Sequence, residues 1–326
     1  MNGMRHCVFV LALTLALVAG IPLLTVDGVS TAIGLNHLCI LAASDAAVGG
    51  AALCTGNPEF GKTAPPEDVV FVQLAAGLYF TCGLSVDQRV HCWGQISNTP
   101  EDGLYMQISA GNYFACGLLI DGQFKCWGQD KVLTSLLAPG DRDSGGEEVF
   151  VQLSCGPASL CALASSGYTK CWGSSGVTQS LSPRRTSSHN NQTSSQFSSV
   201  SSLGVENRFR QVSVGDDVTC GIRYPSGDLV CSGSLKKYGI PTLIEGSFLQ
   251  VSVSSARLGM CAIRSDHSLE CWGPAKSLAV FVKANTRWDQ IEVGPSMVCA
   301  VSMTSELKCG GGNGIRIDFP RATVLA

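Results

Sequence analysis

The stretch that decides the fold runs from Tyr105 to Gly128: YMQISAGNYFACGLLIDGQFKCWG. It opens on an apolar-Gln-apolar run, passes a glycine and reaches Cys116-Gly117-Leu118. It then turns at Ile120-Asp121-Gly122 and closes on Cys126-Trp127-Gly128. The same unit recurs near 29–56, 71–94, 105–128, 150–173, 209–233, 248–273 and 288–311, and the first copy is degenerate. The first cysteines of the units (Cys39, Cys82, Cys116, Cys161, Cys220, Cys261, Cys299) recur about every 43 residues, a period that marks the blades of a β-propeller. Within a unit the alternation has period two, with Phe71, Gln73 and Ala75 set against Val72, Leu74 and Ala76. No long segment carries the spacing of a surface helix. The expected fold is all-β: a seven-bladed β-propeller with one disulfide-stapled hairpin per blade. A solenoid is the alternative, but it would need capping units at both ends.

The cysteines support the hairpins. Fourteen fall one pair to a unit: Cys39–Cys54, Cys82–Cys92, Cys116–Cys126, Cys161–Cys171, Cys220–Cys231, Cys261–Cys271 and Cys299–Cys309. A three-residue loop with glycine in its left-handed position sets Cys116 opposite Cys126. The Cys220–Cys231 pair is one residue wider, and its loop, Tyr224-Pro225-Ser226-Gly227, is one residue longer. Facing residues on a hairpin lie within disulfide reach. Zinc would need close-set pairs converging with histidine, and no histidine recurs at an equivalent position. Cys155 is left over, either as a buried inert thiol or as one half of an intermolecular bridge. Trp93, Trp127, Trp172 and Trp272 follow the second cysteine of their units and are expected to pack against neighbouring blades. Ser232 and Gly310 stand at that position in the fifth and seventh units, which are expected to pack less tightly.

Composition narrows the function. Charged residues make up 14% of the 326 residues and the net charge is −3. Such a chain cannot supply the basic face that nucleic acid requires. Sixteen cysteines indicate an oxidising compartment. Arg5 precedes an apolar run from Cys7 to Ala19, followed by Gly20 and Pro22. This reads as a signal peptide over 1–20, too short for a membrane span. The propeller is then expected over 27–326, with no membrane span in the mature chain, which is expected to be secreted. Two insertions interrupt the spacing. The segment 129–148 is acidic and turn-rich, and 174–207 is serine-rich and carries the acceptor pattern Asn191-Gln192-Thr193 for N-glycosylation. Each is either a recognition loop or a passive surface insertion.

Motifs for catalysis are missing from the sequence. There is no G-x-S-x-G elbow, H-E-x-x-H, Walker loop or dinucleotide fingerprint. His37, His91, His189 and His267 fall at unrelated positions, and Asp216-Asp217 reads as a solvated pair rather than an acid/base dyad. No catalytic residue, metal ligand or cofactor is assigned.

The G-x(4)-C-G/A-L/I … C-W-G unit resembles the regulator of chromosome condensation superfamily of seven-bladed propellers. The paired cysteines look most like the crinkly-type repeats in plant receptor-like kinase ectodomains. The resemblance covers nearly the whole mature chain and is specific for fold. The superfamily's nuclear founder is an exchange factor for a small GTPase, a role at odds with a signal peptide and disulfides. Another branch includes a secreted bacterial β-lactamase inhibitor protein, so the resemblance implies a protein-binding surface. Kinase activity does not carry over, because no Gly-rich loop, strand lysine, H-R-D or D-F-G segment is present. The expected function is a secreted non-catalytic binding module for an extracellular protein. A carbohydrate-binding propeller and an extracellular propeller enzyme are the alternatives.

Overall fold

The computed structural model describes residues 31–42, 49–129, 148–173, 208–279 and 286–311. The stretch 1–20, nearly all of both insertions (with His189 and Asn191) and the tail beyond 311 lie outside these residues. The described chain forms seven antiparallel sheets, each with its strands in sequence order. They span 31–56, 71–94, 105–128, 150–173, 208–233, 248–272 and 288–311. The fifth sheet gains a fourth strand, Leu243–Ile244, beside its last. Two one-turn helices, Leu235–Tyr238 and Ala275–Leu278, follow the fifth and sixth sheets.

Both faces of each sheet are buried, because each packs between two others. A β-bulge near the start of the first strand decides which side chain faces which neighbour. In the second sheet Phe71 pairs with Ser85 but Gln73 with Leu84, so Val72 is the extra residue. Five other sheets have the same shift. Strict alternation would place Phe71 beside Gln73 and Ala75. The bulge instead turns Phe71 to the side of Leu74 and Ala76, against Ala32, Cys39 and Leu41 of the first sheet. Val72 and Ala75 face Tyr105 and Ile108 of the third sheet. The period-two expectation therefore fails at residues 71–73, since a bulge inverts the facing of every residue before it.

The repeated glutamine and the serine two residues later clasp one sheet to the next. Gln73, Gln107, Gln152, Gln211 and Gln250 accept through Oε1 from the amides of Ile108, Leu153, Val212, Val251 and Ile291, at 2.7–2.9 Å. Ser109, Ser154, Ser213 and Ser252 accept from Cys155, Val214, Val253 and Val293 at 2.9–3.0 Å. These amides lie at the sheet-to-sheet junctions, where an orphan donor would be costly. At the junction of the seventh sheet with the first, Glu292 takes the serine's place. It accepts from the Ile33 amide at 3.0 Å and bonds the Thr31 hydroxyl at 2.5 Å. Ile33, Leu38 and Ile40 pack there on Met297 and Cys299. The ring thus closes by side-chain packing and hydrogen bonds, and among the described residues no strand is shared between the two sheets.

The repeated glycine has a different cause. It ends the first strand where successive blades approach backbone to backbone. A Cβ on Gly77 would lie 2.8 Å from the Gly111 carbonyl oxygen, one on Gly111 2.5 Å from that of Gly156, and one on Gly156 2.7 Å from that of Gly215. In the sixth repeat Ser254 stands instead, donating to the Gly294 carbonyl at 2.9 Å. Gly111→Ala should therefore cost about 3 kcal/mol, the upper range for overpacking, because its methyl would also lie 2.2 Å from the Phe114 ring. Urea unfolding would check this, and a loss below about 0.5 kcal/mol would show that the blades can part.

The fourteen cysteines form seven disulfides, each joining facing residues of the middle and last strands of one sheet. Trp93 packs on the first sheet, Trp127 on the second, Trp172 on the third and Trp272 on the fifth, always the preceding blade. Each also meets the aromatic that opens its own sheet, as in Trp127–Tyr105 at 6.2 Å. In the seventh sheet Gly310 stands where other blades carry tryptophan. Its opening residue is the fully buried Trp288, backed by Ala275 and Ala279. Between the fourth and fifth sheets Phe209 is the one aromatic of the core cluster, beside Leu163, Val212 and Val214.

Candidate recognition surface

The turns after the first strands gather on one face of the ring. Backbone bonds tie them from blade to blade: Leu78 to Asn112, Asn112 to Pro157, and Asp216 to Ser254. The chain leaving each last strand returns to the same face, as in the bonds Asn57 to Asn36, Gln95 to Tyr79 and Gln129 to Tyr113. This return carries Phe60, in the short 3-10 turn Glu59–Gly61, over the second blade. Its ring meets Tyr79 edge-on at 5.6 Å, and Tyr79 meets Tyr113 of the next blade at 6.1 Å. Phe60 and Tyr113 are 49% and 43% exposed. Two large rings open to solvent, with the partly buried Tyr79 between them, make an amphipathic contact surface of low ordering cost.

Beneath the rings lies a polar cluster. Lys62 is 1% exposed, and its carbonyl accepts from Trp93 Nε1 at 2.9 Å and from the Thr81 hydroxyl at 3.3 Å. Its ammonium lies 5.6 Å from the centre of the Tyr79 ring. His37, fully buried, shares a 2.9 Å bond with the Thr81 hydroxyl through Nε2, while Nδ1 has no partner. Burial, and then the charge of Lys62, lower the His37 pKa to about 4.

Elsewhere several charged groups pair with one another. Asp216 and Asp217 turn to different partners, Arg257 at 2.9 Å and Lys237 at 3.4 Å, so no dyad forms. A cleft of about 430 Å³ on another part of the surface holds Arg89, His91, Glu101, Asp102 and Tyr105, but Asp102 is engaged by Lys125 at 3.1 Å. His267 bonds the Trp288 carbonyl at 3.0 Å, and His37, His91 and His267 belong to different sheets. Cys155 is buried and free, and burial pushes its thiol up to about 12. Among the described residues no three His, Cys, Asp or Glu side chains are grouped to hold a metal, and no helix is long and apolar enough to cross a membrane. Sequence reasoning missed the surface. The one signal was the tyrosine recurring in Gly77-Leu78-Tyr79 and Gly111-Asn112-Tyr113; Phe60 and Lys62 lie between repeats, where no pattern marks them.

Seven disulfide-stapled antiparallel sheets arranged in a ring define a seven-bladed β-propeller, and so many disulfides point to an oxidising, extracellular setting. Comparison with known proteins narrows the kind of propeller. Residues 71–99 and 107–131 match the regulator of chromosome condensation (RCC1) repeat. No curated protein sequence matches the chain. The fold is similar to the CRINKLY WD40 ectodomain of the Arabidopsis thaliana receptor kinase ACR4, with a TM-score of 0.64 and 22% identity over 90% of this chain and 98% of that one. It is similar to the ectodomain of the Physcomitrella patens receptor kinase CR4, at 0.63 and 22% over 91% and 77%. Prp20p of Saccharomyces cerevisiae follows at 0.62 and 15% over 89% and 82%. The resemblance to the regulator of chromosome condensation superfamily, and to its crinkly-type branch, is thus borne out for the fold.

Proposed function

We propose that this protein is a secreted, non-catalytic binding module that recognises an extracellular protein through the Phe60–Tyr79–Tyr113 surface. The observation that carries the reading is that cluster of half-exposed rings on a disulfide-stiffened scaffold. Exposed tyrosine and phenylalanine on rigid turns supply contact area without a large entropy cost, and protein interfaces concentrate their energy in such residues. The apolar run from Cys7 to Ala19 supports export. Carbohydrate fits less well, because the rings incline by 74° and 39° instead of offering one flat platform for a sugar face.

The test pairs the mature protein with a variant carrying Phe60→Ser, Tyr79→Ser and Tyr113→Ser. Partners captured from extracellular fluid would be purified and their binary affinities measured. The variant should melt near the parent and bind at least tenfold more weakly. Equal affinity would move the interface to another part of the ring. Binding only to glycans, with no protein captured, would favour the carbohydrate reading.

A further inference from the structure

An ammonium group is costly to bury unless an anion compensates it. Lys62 is almost wholly buried, yet among the described residues it has no ion pair, and its ammonium lies against the face of Tyr79. The position is imposed by the fold. The Lys62 carbonyl is pinned by Thr81 and Trp93, and a Cβ on Gly94 would lie 3.1 Å from the Lys62 Cβ, so only glycine leaves the lysine undisturbed there. The other titratable group in the cluster, His37, brings no compensating charge. It is neutral at ordinary pH, partly because it feels the positive charge of Lys62. Phe60, which lies edge-on to Tyr79, has φ 64°, a backbone conformation uncommon for a bulky residue. One positive charge at the floor of an aromatic surface is therefore left, among the described residues, without an acid.

We propose that Lys62 anchors a carboxylate of the protein partner: a glutamate or aspartate set beside an apolar side chain, with the apolar group on Phe60, Tyr79 and Tyr113 and the carboxylate on the ammonium. This rests on the protein-binding reading above and specifies what the partner segment must carry. Charge complementarity selects the acid. A single ammonium suits a singly charged carboxylate better than a phosphate, which several donors usually hold. Replacing the solvation that Lys62 lacks makes the contact stronger than a surface ion pair.

The probes are two blocked tetrapeptides, acetyl-Gly-Phe-Glu-Gly-amide and the same peptide with glutamine for glutamate, followed by NMR at the Lys62 ε-methylene and the Tyr79 ring. The glutamate peptide should shift both resonances saturably, with the glutamine peptide at least tenfold weaker and the difference shrinking as salt is added. Lys62→Met retains the stem and removes the charge. It should melt at or above the parent temperature and lose the preference for glutamate. Equal shifts by the two peptides, or a preference that survives Lys62→Met, would overturn the anchor. So would an acidic oligosaccharide that shifts these resonances where the glutamate peptide does not, since the carboxylate would then belong to a glycan. The two readings fail separately. If the captured partner loses affinity in the triple serine variant but not in Lys62→Met, the aromatic surface stands and the anchor falls. If the triple variant binds its partner normally, the surface falls, while the peptide experiment still reports on Lys62.

Discussion

Unfolded, reduced, thiol-blocked and returned to native buffer, this protein should fail to regain its fold at 25 °C. Each of the seven bridges closes a loop of about a dozen residues, and each is worth about 2–3 kcal/mol in the chain-entropy model. Their combined effect is as large as the whole net stability of a typical domain, about 5–15 kcal/mol. Position adds to the effect. The first cysteine of every pair is buried in the layer between blades, so a blocked thiol there also introduces bulk into a close-packed interface. A single three-stranded sheet has too little core of its own to replace that linkage. Far-ultraviolet circular dichroism and a thermal melt would show the result. A reduced, blocked chain that melts cooperatively within a few degrees of the oxidised one would refute the view that the bridges hold the blades.

The second large effect is a pH dependence at the seam where the ring closes. Burial raises the Glu292 pKa from 4.5 to about 7, against the opposing hydrogen bonds from Thr31 and Ile33, and no charged side chain contributes to the shift. The folded state therefore holds a proton that the unfolded chain has released. The stabilisation is complete below pH 4.5 and is lost as the pH rises through about 7, a change of about 3 kcal/mol. His37 works in the opposite sense. Its folded pKa of about 4 lies below the ordinary 6.5, so its contribution is lost as the pH falls through that window. The two nearly cancel in the parent protein, and Glu292→Gln separates them. The amide keeps an acceptor for the Ile33 amide and a donor for the Thr31 hydroxyl, but never ionises. Relative to the parent, the variant should gain about 3 kcal/mol between pH 4.5 and 7 in urea unfolding, and protection of the Ile33 amide should change in parallel. Parallel stability curves for the two proteins would show that water reaches the carboxyl and that the seam carries no buried charge.

The repeat was legible because a propeller is built from one unit many times over, and a unit must satisfy the same local physics in each copy. Hairpin register depends on loop length, so the spacing of Cys220 and Cys231 against that of Cys116 and Cys126 could be read from the chain. That Trp93, Trp127, Trp172 and Trp272 pack on a neighbouring blade was open to the same reasoning, since a large aromatic at a fixed blade position needs a neighbour to cover it; that the neighbour is the preceding blade was not. The facing of Phe71 was not. A bulge inserts one residue without any mark in composition, and only the pairing of Phe71 with Ser85 and Gln73 with Leu84 reveals it. The Gln and Ser of each repeat were visible as letters, but their task was not. The amides they satisfy lie 35–60 residues away on the next blade.

By itself, then, the sequence determined what depends on near neighbours: the seven hairpins, their cysteine pairs, the glycine turns and the all-β class. Tertiary structure alone decided what depends on which blade stands beside which. It brought Phe60 from a linker onto Tyr79 and Tyr113, buried Lys62 with no acid beside it among the described residues, and put Glu292 where four other junctions carry a serine and the ring has to close. Local periodicity encodes the blade, because hydrogen-bond register and side-chain alternation act over a few residues. Closing the ring joins residues about 260 positions apart, and no short-range pattern can specify a contact between two ends that meet only once all seven blades are in place.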